Sequence, residues 1–262
     1  MKSKNKRGLM KRFPLFLAVL FFSVVLGSNA FASSKGHDKH WSYEGDTGPA
    51  YWGELSEKFE ACSEGKSQSP IDIRETVKVS DGKVKFNYKP TRIRILNNGH
   101  AIQVNYDKGS YIKVAGVRYD LLQLHFHSPS ENTVAGKHSD IEMHLVHKNK
   151  KGELAVVGVL IEKGPQNKAY EGIWANLPAK KGKEMVVKGK VNAIDLTPAK
   201  KSYYSFSGSL TTPPCSENVA WFLLKTPVKL SPAQIKAFRK IMKGDNRPVQ
   251  PLNGRKVMEI SG

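Results

Sequence analysis

The sequence predicts a mainly β chain of the α+β kind, built on one large, mostly antiparallel sheet with a few short helices at its periphery. Three observations carry this. Nine short segments are rich in β-branched and aromatic residues, turn residues separate them, and helical patterning is confined to three stretches. In chain order the strand segments are "VKFNY" (84–88), "RIRILNN" (92–98), "AIQVNY" (101–106), "YIKVAG" (111–116) and "DLLQLHFH" (120–127). They continue with "IEMHLVHKN" (141–149), "LAVVGVLIEKG" (154–164), "YYSFSGSL" (203–210) and "NVAWFLLKTPV" (218–228). "DGK", "NNGH", "DKGS" and "KKGE" supply the turns. A short helix fits "GPAYWGELSEKFEACSEG" (48–65), and "YEGIWANLPAK" (170–180) reads as a turn or two ending before Pro178. "SPAQIKAFRKIM" (231–242) is a clearer helix. Ser231 can cap it, Pro232 takes the first helical position, and Ile235, Phe238 and Ile241/Met242 line one face.

The first 32 residues are set apart from this pattern. "MKSKNKRGLMKR" is basic, "FPLFLAVLFFSVVLG" is an apolar run of 15 residues, and Ala30 and Ala32 form an A-x-A pattern. This reads as a signal peptide, residues 1–32, cleaved after Ala32. The run is short for a membrane span, which needs about 20 apolar residues. The remaining 33–262 reads as a single domain, since no repeat, low-complexity tract or linker interrupts it. Of 42 Lys+Arg, six fall in residues 1–32, so the processed chain carries 36 − 23 = +13. These cations are mostly lysines scattered through turns, which reads as a solvated basic surface. A nucleic-acid binder would interleave basic and aromatic residues on one face. No nucleic acid and no stable membrane anchor are expected as partners; self-association as a homodimer is left open. Two cysteines in an exported chain, Cys62 and Cys215, suggest one disulfide, with free buried thiols as the alternative.

Five of the eight histidines lie in "QLHFHSPSENTVAGKHSDIEMHLVH" (123–147). Side chains alternate across a strand. His125 and His127 therefore share a face, with Leu124 and Phe126 packed on the other. Glu142, His144 and Val146 share a face of the next segment. If the two segments are neighbours, His125, His127 and His144 meet. Three imidazoles with an open fourth position suit a catalytic zinc site. Metal-bound imidazoles need partners on their second nitrogens. Gln123 lies two residues before His125 and Glu142 two before His144, so both project on the ligand face. By itself H-x-H is a weak signal, and each histidine alone reads as an ordinary polar residue.

At these residues the chain resembles the α-class carbonic anhydrases. The matching blocks include "HWSYEGDTGPAYWGEL", "QSPIDI", "RILNNGHAIQV", "LLQLHFHSPSENTVAG", "IEMHLVH", "YYSFSGSLTTPPCSENVAWFLLKTP" and "NRPVQPLNGR", running in family order from about residue 40 to 255. The resemblance implies a twisted, mainly antiparallel sheet with one zinc ion per chain in a conical cleft. It implies reversible hydration of CO2 to bicarbonate and a proton through zinc-bound hydroxide. It makes His125, His127 and His144 the ligands, with Gln123 and Glu142 behind them. Thr211 takes the place of the threonine that accepts a hydrogen bond from the hydroxide, and Glu131 that of the carboxylate to which this threonine donates. Thr212 falls beside the substrate. Val146, Val156, Leu210, Val219 and Trp221 match the apolar wall that holds CO2. His100 matches the proton-shuttle histidine; Tyr43, Asn98 and Gln103 match the water-ordering polar wall, with Gln103 where the family often has Asn. A Cys62–Cys215 bridge is implied too, bracing the segment that carries Thr211.

These residue types suit the chemistry. CO2 is small and uncharged, so an apolar pocket must hold it. Each turnover releases a proton, and a histidine of pKa near 6.5 can relay it. A competing reading is a non-catalytic relative that keeps the fold as a binding module; such a module is expected to have lost a ligand. His37, His40 and His138 are expected at the surface or near the processed N-terminus, and His147 is read as structural.

Overall fold

Period-two alternation fills the strands of the computed structural model, which describes residues 40–80 and 82–261. The expected signal peptide lies outside the described residues. The strands in chain order are β1 (Asp72–Ile73), β2 (Val77–Val79), β3 (Lys85–Asn87), β4 (Thr91–Asn97), β5 (Ile102–Asn105), β6 (Tyr111–Val114), β7 (Val117–His127) and β8 (Thr133–Val134). They continue with β9 (Lys137–His138), β10 (Ile141–Lys148), β11 (Leu154–Lys163), β12 (Met185–Val191), β13 (Tyr203–Ser209), β14 (Glu217–Leu230) and β15 (Met258–Ile260). Twelve of them form one sheet in the order β12-β4-β5-β7-β10-β11-β14-β13-β15-β2, with β3 and β6 attached to β7. Most pairs are antiparallel, but β11–β14 and β15–β2 are parallel. β1, β8 and β9 make a small separate sheet.

Alternation divides the side chains between two layers. Leu124, Phe126, Met143, Leu145, Val157 and Val159 enter the main core, where Ile235 and Phe238 of the last helix cover them. Val156, Leu160, Val219, Trp221 and Leu223 form a second cluster on the opposite side. Burying a side chain of this size stabilises by roughly 1.5–3 kcal/mol, so each strand's facing is strongly specified. Between Val146 and His147 the β10–β7 register slips: Val146 pairs with Gln123 but His147 with Leu121, so Leu122 is skipped. This bulge re-aims the second half of β7.

The last helix spans Pro232–Arg239 and starts with a full capping box between Ser231 and Gln234. It is shorter than the pattern predicts; Ile241 and Met242 lie beyond it yet still pack on the core. Of the segment 48–65, two single-turn helices form, Trp52–Leu55 and Ala61–Glu64. Sequence reading misses β12, an edge strand whose exposed side chains lack alternation. It also does not anticipate the parallel β11–β14 pair, because strand order is non-local.

Candidate active site

β7 and β10 run antiparallel with His125 opposite His144 and His127 opposite Glu142. That register brings His125, His127 and His144 together, with one candidate ligand atom from each lying within 4.8 Å of the others. Each ring is held by its second nitrogen. His125 Nδ1 donates to Gln123 Oε1 at 2.8 Å, and His144 Nε2 to Glu142 Oε1 at 3.0 Å. His127 Nδ1 donates to the main-chain oxygen of Asp245 at 2.6 Å. This leaves Nε2 of His125, Nε2 of His127 and Nδ1 of His144 to face one point. Burial, then the neighbouring imidazoles, hold His125 and His144 well below the usual histidine range. These two rings therefore stay neutral and free to act as ligands.

Behind the histidines the polar groups are buried and tied down. Glu142 accepts from Asn132 N at 2.8 Å and from Asn132 Nδ2 at 2.7 Å. Burial still raises its pKa. Glu131 Oε1 accepts from the main-chain N–H of Arg247 at 2.8 Å. Its carboxyl is pushed up to about 8, mainly by burial, against the Arg247 N–H and the Thr211 hydroxyl. Thr211 thus lies near enough to lower that pKa, yet Glu131 Oε2 makes no hydrogen bond of normal geometry. Oε2 sits 3.5 Å from His127 Nε2 and 3.8 Å from His144 Nδ1. Gly158 pairs with His144. A Cβ there would meet Leu223 Cδ1 at 2.6 Å and Glu142 Oε1 at 3.1 Å, so any larger residue would shift Leu223 and press on the partner of His144.

One wall beside the histidines is apolar. Pairing sets Gln123, Val146, Val156 and Trp221 in one row across β7, β10, β11 and β14. Val146, Leu210 and Val219 join this row's cluster. The Trp221 ring meets His144 edge-on at 4.9 Å, and its Nε1 donates to Ser209 O at 3.0 Å.

The opposite wall is polar. Tyr43, Asn98, His100, Gln103, Gln123, His125, His127 and Thr212 line a cavity of about 130 Å³. Asn98 Oδ1 accepts from the N–H groups of His100 and Ala101 at 2.8 Å each, and Asn98 Nδ2 donates to Gln103 Oε1 at 3.3 Å. Gln103 continues to Asn105 at 2.6 Å. The Tyr43 hydroxyl is buried without a hydrogen-bond partner among the described residues; burial, then Glu131 and Asp245, raise its pKa well above 10. His100 stacks on Trp41 at 3.6 Å, and His40 stacks on His100 at 5.1 Å. Burial, His40 and Lys181 lower the His100 pKa to about 4. His147 is buried away from this cleft, on Tyr88 OH at 2.9 Å and Ala155 O at 3.3 Å. His138 is exposed and bonds Ser130 O.

The Cys62–Cys215 bridge is formed, with Cα atoms 5.0 Å apart. Beside it lies a residue that sequence reading misses. Arg247 is 1 % exposed. Its guanidinium donates to Gln68 Oε1, Ser69 O and Cys62 O, each at 2.8 Å. Asp245, Asn132 and Gly158 are missed as well. The only signal for Asp245 and Arg247 is their place in or next to "NRPVQPLNGR".

A family profile described as eukaryotic-type carbonic anhydrase matches residues 47–261. A carbonic anhydrase of Nostoc sp. (strain PCC 7120) is 41% identical over 260 residues, covering 97% of this chain and 97% of that one. A solved structure of a hyperthermostable carbonic anhydrase from an active hydrothermal vent chimney is 51% identical, with TM-score 0.82, covering 85% of this chain and 100% of that one. The crystal structure of dioscorin complexed with ascorbate is also similar, at 30% identity and TM-score 0.78, over 85% of this chain and 98% of that one.

Proposed function

The chain belongs to the α-class carbonic anhydrase family, and from that membership we propose that it is an exported zinc enzyme for the reversible hydration of CO2. The observation that carries this reading is the convergence of three imidazoles beside an apolar row, set by the registers of β7, β10, β11 and β14. A dication suits the place. His127 Nε2 and Glu131 Oε2 are buried there with no hydrogen-bond partner. Burial raises the pKa of Glu131, Glu142 and Asp245 around the same point, so the site is short of positive charge. Three nitrogen donors with room for a fourth partner match zinc.

His125, His127 and His144 would hold the ion, which supplies a Lewis acid that brings the pKa of a water to about 7, a value long known for carbonic anhydrase. Gln123, Glu142 and the Asp245 carbonyl keep the rings aimed at that point. Glu131, fixed by the Arg247 N–H, accepts the hydrogen bond of the Thr211 hydroxyl, so toward the nucleophile the Thr211 oxygen can only accept. This orients the nucleophile's lone pair toward CO2. Val146, Val156, Leu210, Val219 and Trp221 hold the apolar substrate, with Thr212 at its edge. Tyr43, Asn98 and Gln103 order the water through which the proton leaves, and His100 receives it. A pKa of about 4 in the Trp41 stack is too low for that task, so the ring acts after leaving the stack.

Residues 1–32 serve as a signal peptide and 33–262 as the single catalytic domain. The disulfide supports an oxidising, extracytoplasmic location. Among the described residues, no helix is long and apolar enough to cross a membrane. The test is zinc content together with stopped-flow CO2 hydration, with and without a chelator. About one zinc per chain and chelator-sensitive turnover are expected. A metal-free protein of full activity would refute the reading.

A further inference from the structure

The far end of β7 carries a feature that neither the fold nor the proposed chemistry requires. Lys85 of β3 pairs with Lys113 of β6, and Lys113 pairs with Arg118 of β7. Directly paired residues point to the same face, so three cations stand side by side across three strands. Like charges in this position are destabilising. Arg118 has an acidic partner, Asp120, at 2.9 Å, and its guanidinium covers the Tyr111 ring at 3.9 Å. Among the described residues, neither Lys85 nor Lys113 makes an ion pair. The next row on this face ends in Lys148, opposite Asp120.

Two further observations bear on what such a face meets. Leu122, the residue skipped at the bulge, is 43% exposed, and Val117 beside the Val114–Val117 turn is 47% exposed. Beside Leu122 runs a groove of about 690 Å³, lined by Arg94, Lys108, Arg118 and Lys148 together with Asp107 and Asp120. The lysines of the following turn, Lys150 and Lys151, line an adjoining hollow with Val117. Exposed apolar side chains among clustered lysines are the pattern of an interfacial binding surface, where cations meet anionic headgroups and apolar groups enter the acyl boundary. Single-stranded nucleic acid would ask for open aromatic platforms. The aromatic ring on this face, Tyr111, is covered by Arg118.

We propose that the β3-β6-β7 face, carrying Lys85, Lys113 and Arg118 in one row with Lys148 at the end of β10 and the exposed Leu122 farther along β7, docks the processed protein on an anionic phospholipid surface. The histidine site lies at the other end of the same strand, since His125 is seven residues beyond Arg118, roughly 20 Å along the chain. Docking at one end of β7 leaves the ligand residues at the other.

Sedimentation with vesicles tests this, using protein without residues 1–32, whose described fold lies within the compact unit Gly36–Gly262. The vesicles contain phosphatidylglycerol in phosphatidylcholine, or phosphatidylcholine alone. Partitioning is expected on the anionic vesicles only, falling with salt. Lys85→Glu/Lys113→Glu/Lys148→Glu should weaken it on the order of 100-fold or more, at about a fivefold loss for each removed cation. Lys200→Glu/Lys236→Glu/Lys240→Glu makes the same change in net charge elsewhere and should cost far less. Leu122→Ser should weaken binding most visibly at high salt, where insertion dominates. CO2 hydration should be unchanged in all variants, which shows that they are folded. Equal losses in the two triple variants would reduce the effect to net charge and overturn the proposal. So would the absence of binding by the unaltered protein. Tighter binding to duplex DNA than to vesicles, lost in the first triple variant, would assign the face to a soluble polyanion instead.

Discussion

On one side of the cleft, Val146, Val156 and Trp221 stand in a single row fixed by main-chain pairing of β10, β11 and β14. On the other side only Gln103 stands on a strand, opposite His125, while Tyr43, Asn98 and His100 are placed by side-chain contacts: an Asn98 turn, a 3.3 Å amide contact, a ring stack. The ligand histidines belong to the first kind, since the ladder places His125 opposite His144. A ladder fixes position through many cooperative hydrogen bonds. A side-chain network fixes it through a few bonds of about 1 kcal/mol each. The ligand histidines stand on strands, Glu131 and Thr211 stand in loops with Glu131 tied to the Arg247 main chain, and the group that must exchange a proton stands at a turn.

The sharpest way to break this comparison is on the ladder side. His144→Ala should remove the bound metal and CO2 hydration together, read by metal analysis and stopped-flow; retained activity would refute the ligand set. Thr211→Ala should lower kcat/KM for CO2 by about 100-fold or more, the usual cost of losing one positioned hydrogen-bonding group. Zinc content should stay unchanged. Glu142→Gln should weaken zinc affinity by about 10–100-fold, as removal of a ligand's partner commonly does. Competition with a chelator reads it. On the polar side, His100→Ala should slow turnover in weak buffer by about 100-fold, at the low end of proton-transfer effects. Added imidazole should restore it, and a full rate without imidazole would remove His100 from the relay.

The smallest expected effect is on stability. Burial lowers the His147 pKa to about 4. The unfolded chain, with a pKa near 6.5, then binds more protons between pH 6.5 and 4. Stability contributed by neutral His147 is therefore complete above about pH 6.5 and is lost as pH falls toward 4. At about 1.4 kcal/mol per pKa unit, that amounts to at most roughly 3 kcal/mol. His147→Gln should flatten this part of the stability-versus-pH curve; an unchanged curve would show that His147 opens to solvent.

Much of the site is legible in "QLHFHSPSENTVAGKHSDIEMHLVH" because strand periodicity is local. Alternation alone groups Gln123, His125 and His127, and separately Glu142, His144 and Val146. The antiparallel pairing that joins the groups is found as expected. Less legible is the partner of His127. Sequence reading looks for a side chain two residues back, but the acceptor is the Asp245 carbonyl, 118 residues away. Every residue carries a carbonyl, so such a partner leaves no mark in residue type. Arg247 is hidden for a related reason, since its N–H to Glu131 is main chain and its guanidinium is buried on other carbonyls.

Local chemistry within the sequence determined which faces are apolar, where Ser231 and Pro232 start a helix, and which histidines can share a point. Tertiary structure alone decided the parallel approach of β11 to β14, the tight space beside Gly158, the bulge that exposes Leu122, and the alignment of Lys85, Lys113 and Arg118. The physical reason is the range of the interaction. Alternation and capping act over a few residues, whereas strand order and register are settled by which distant segments bury the most apolar surface together.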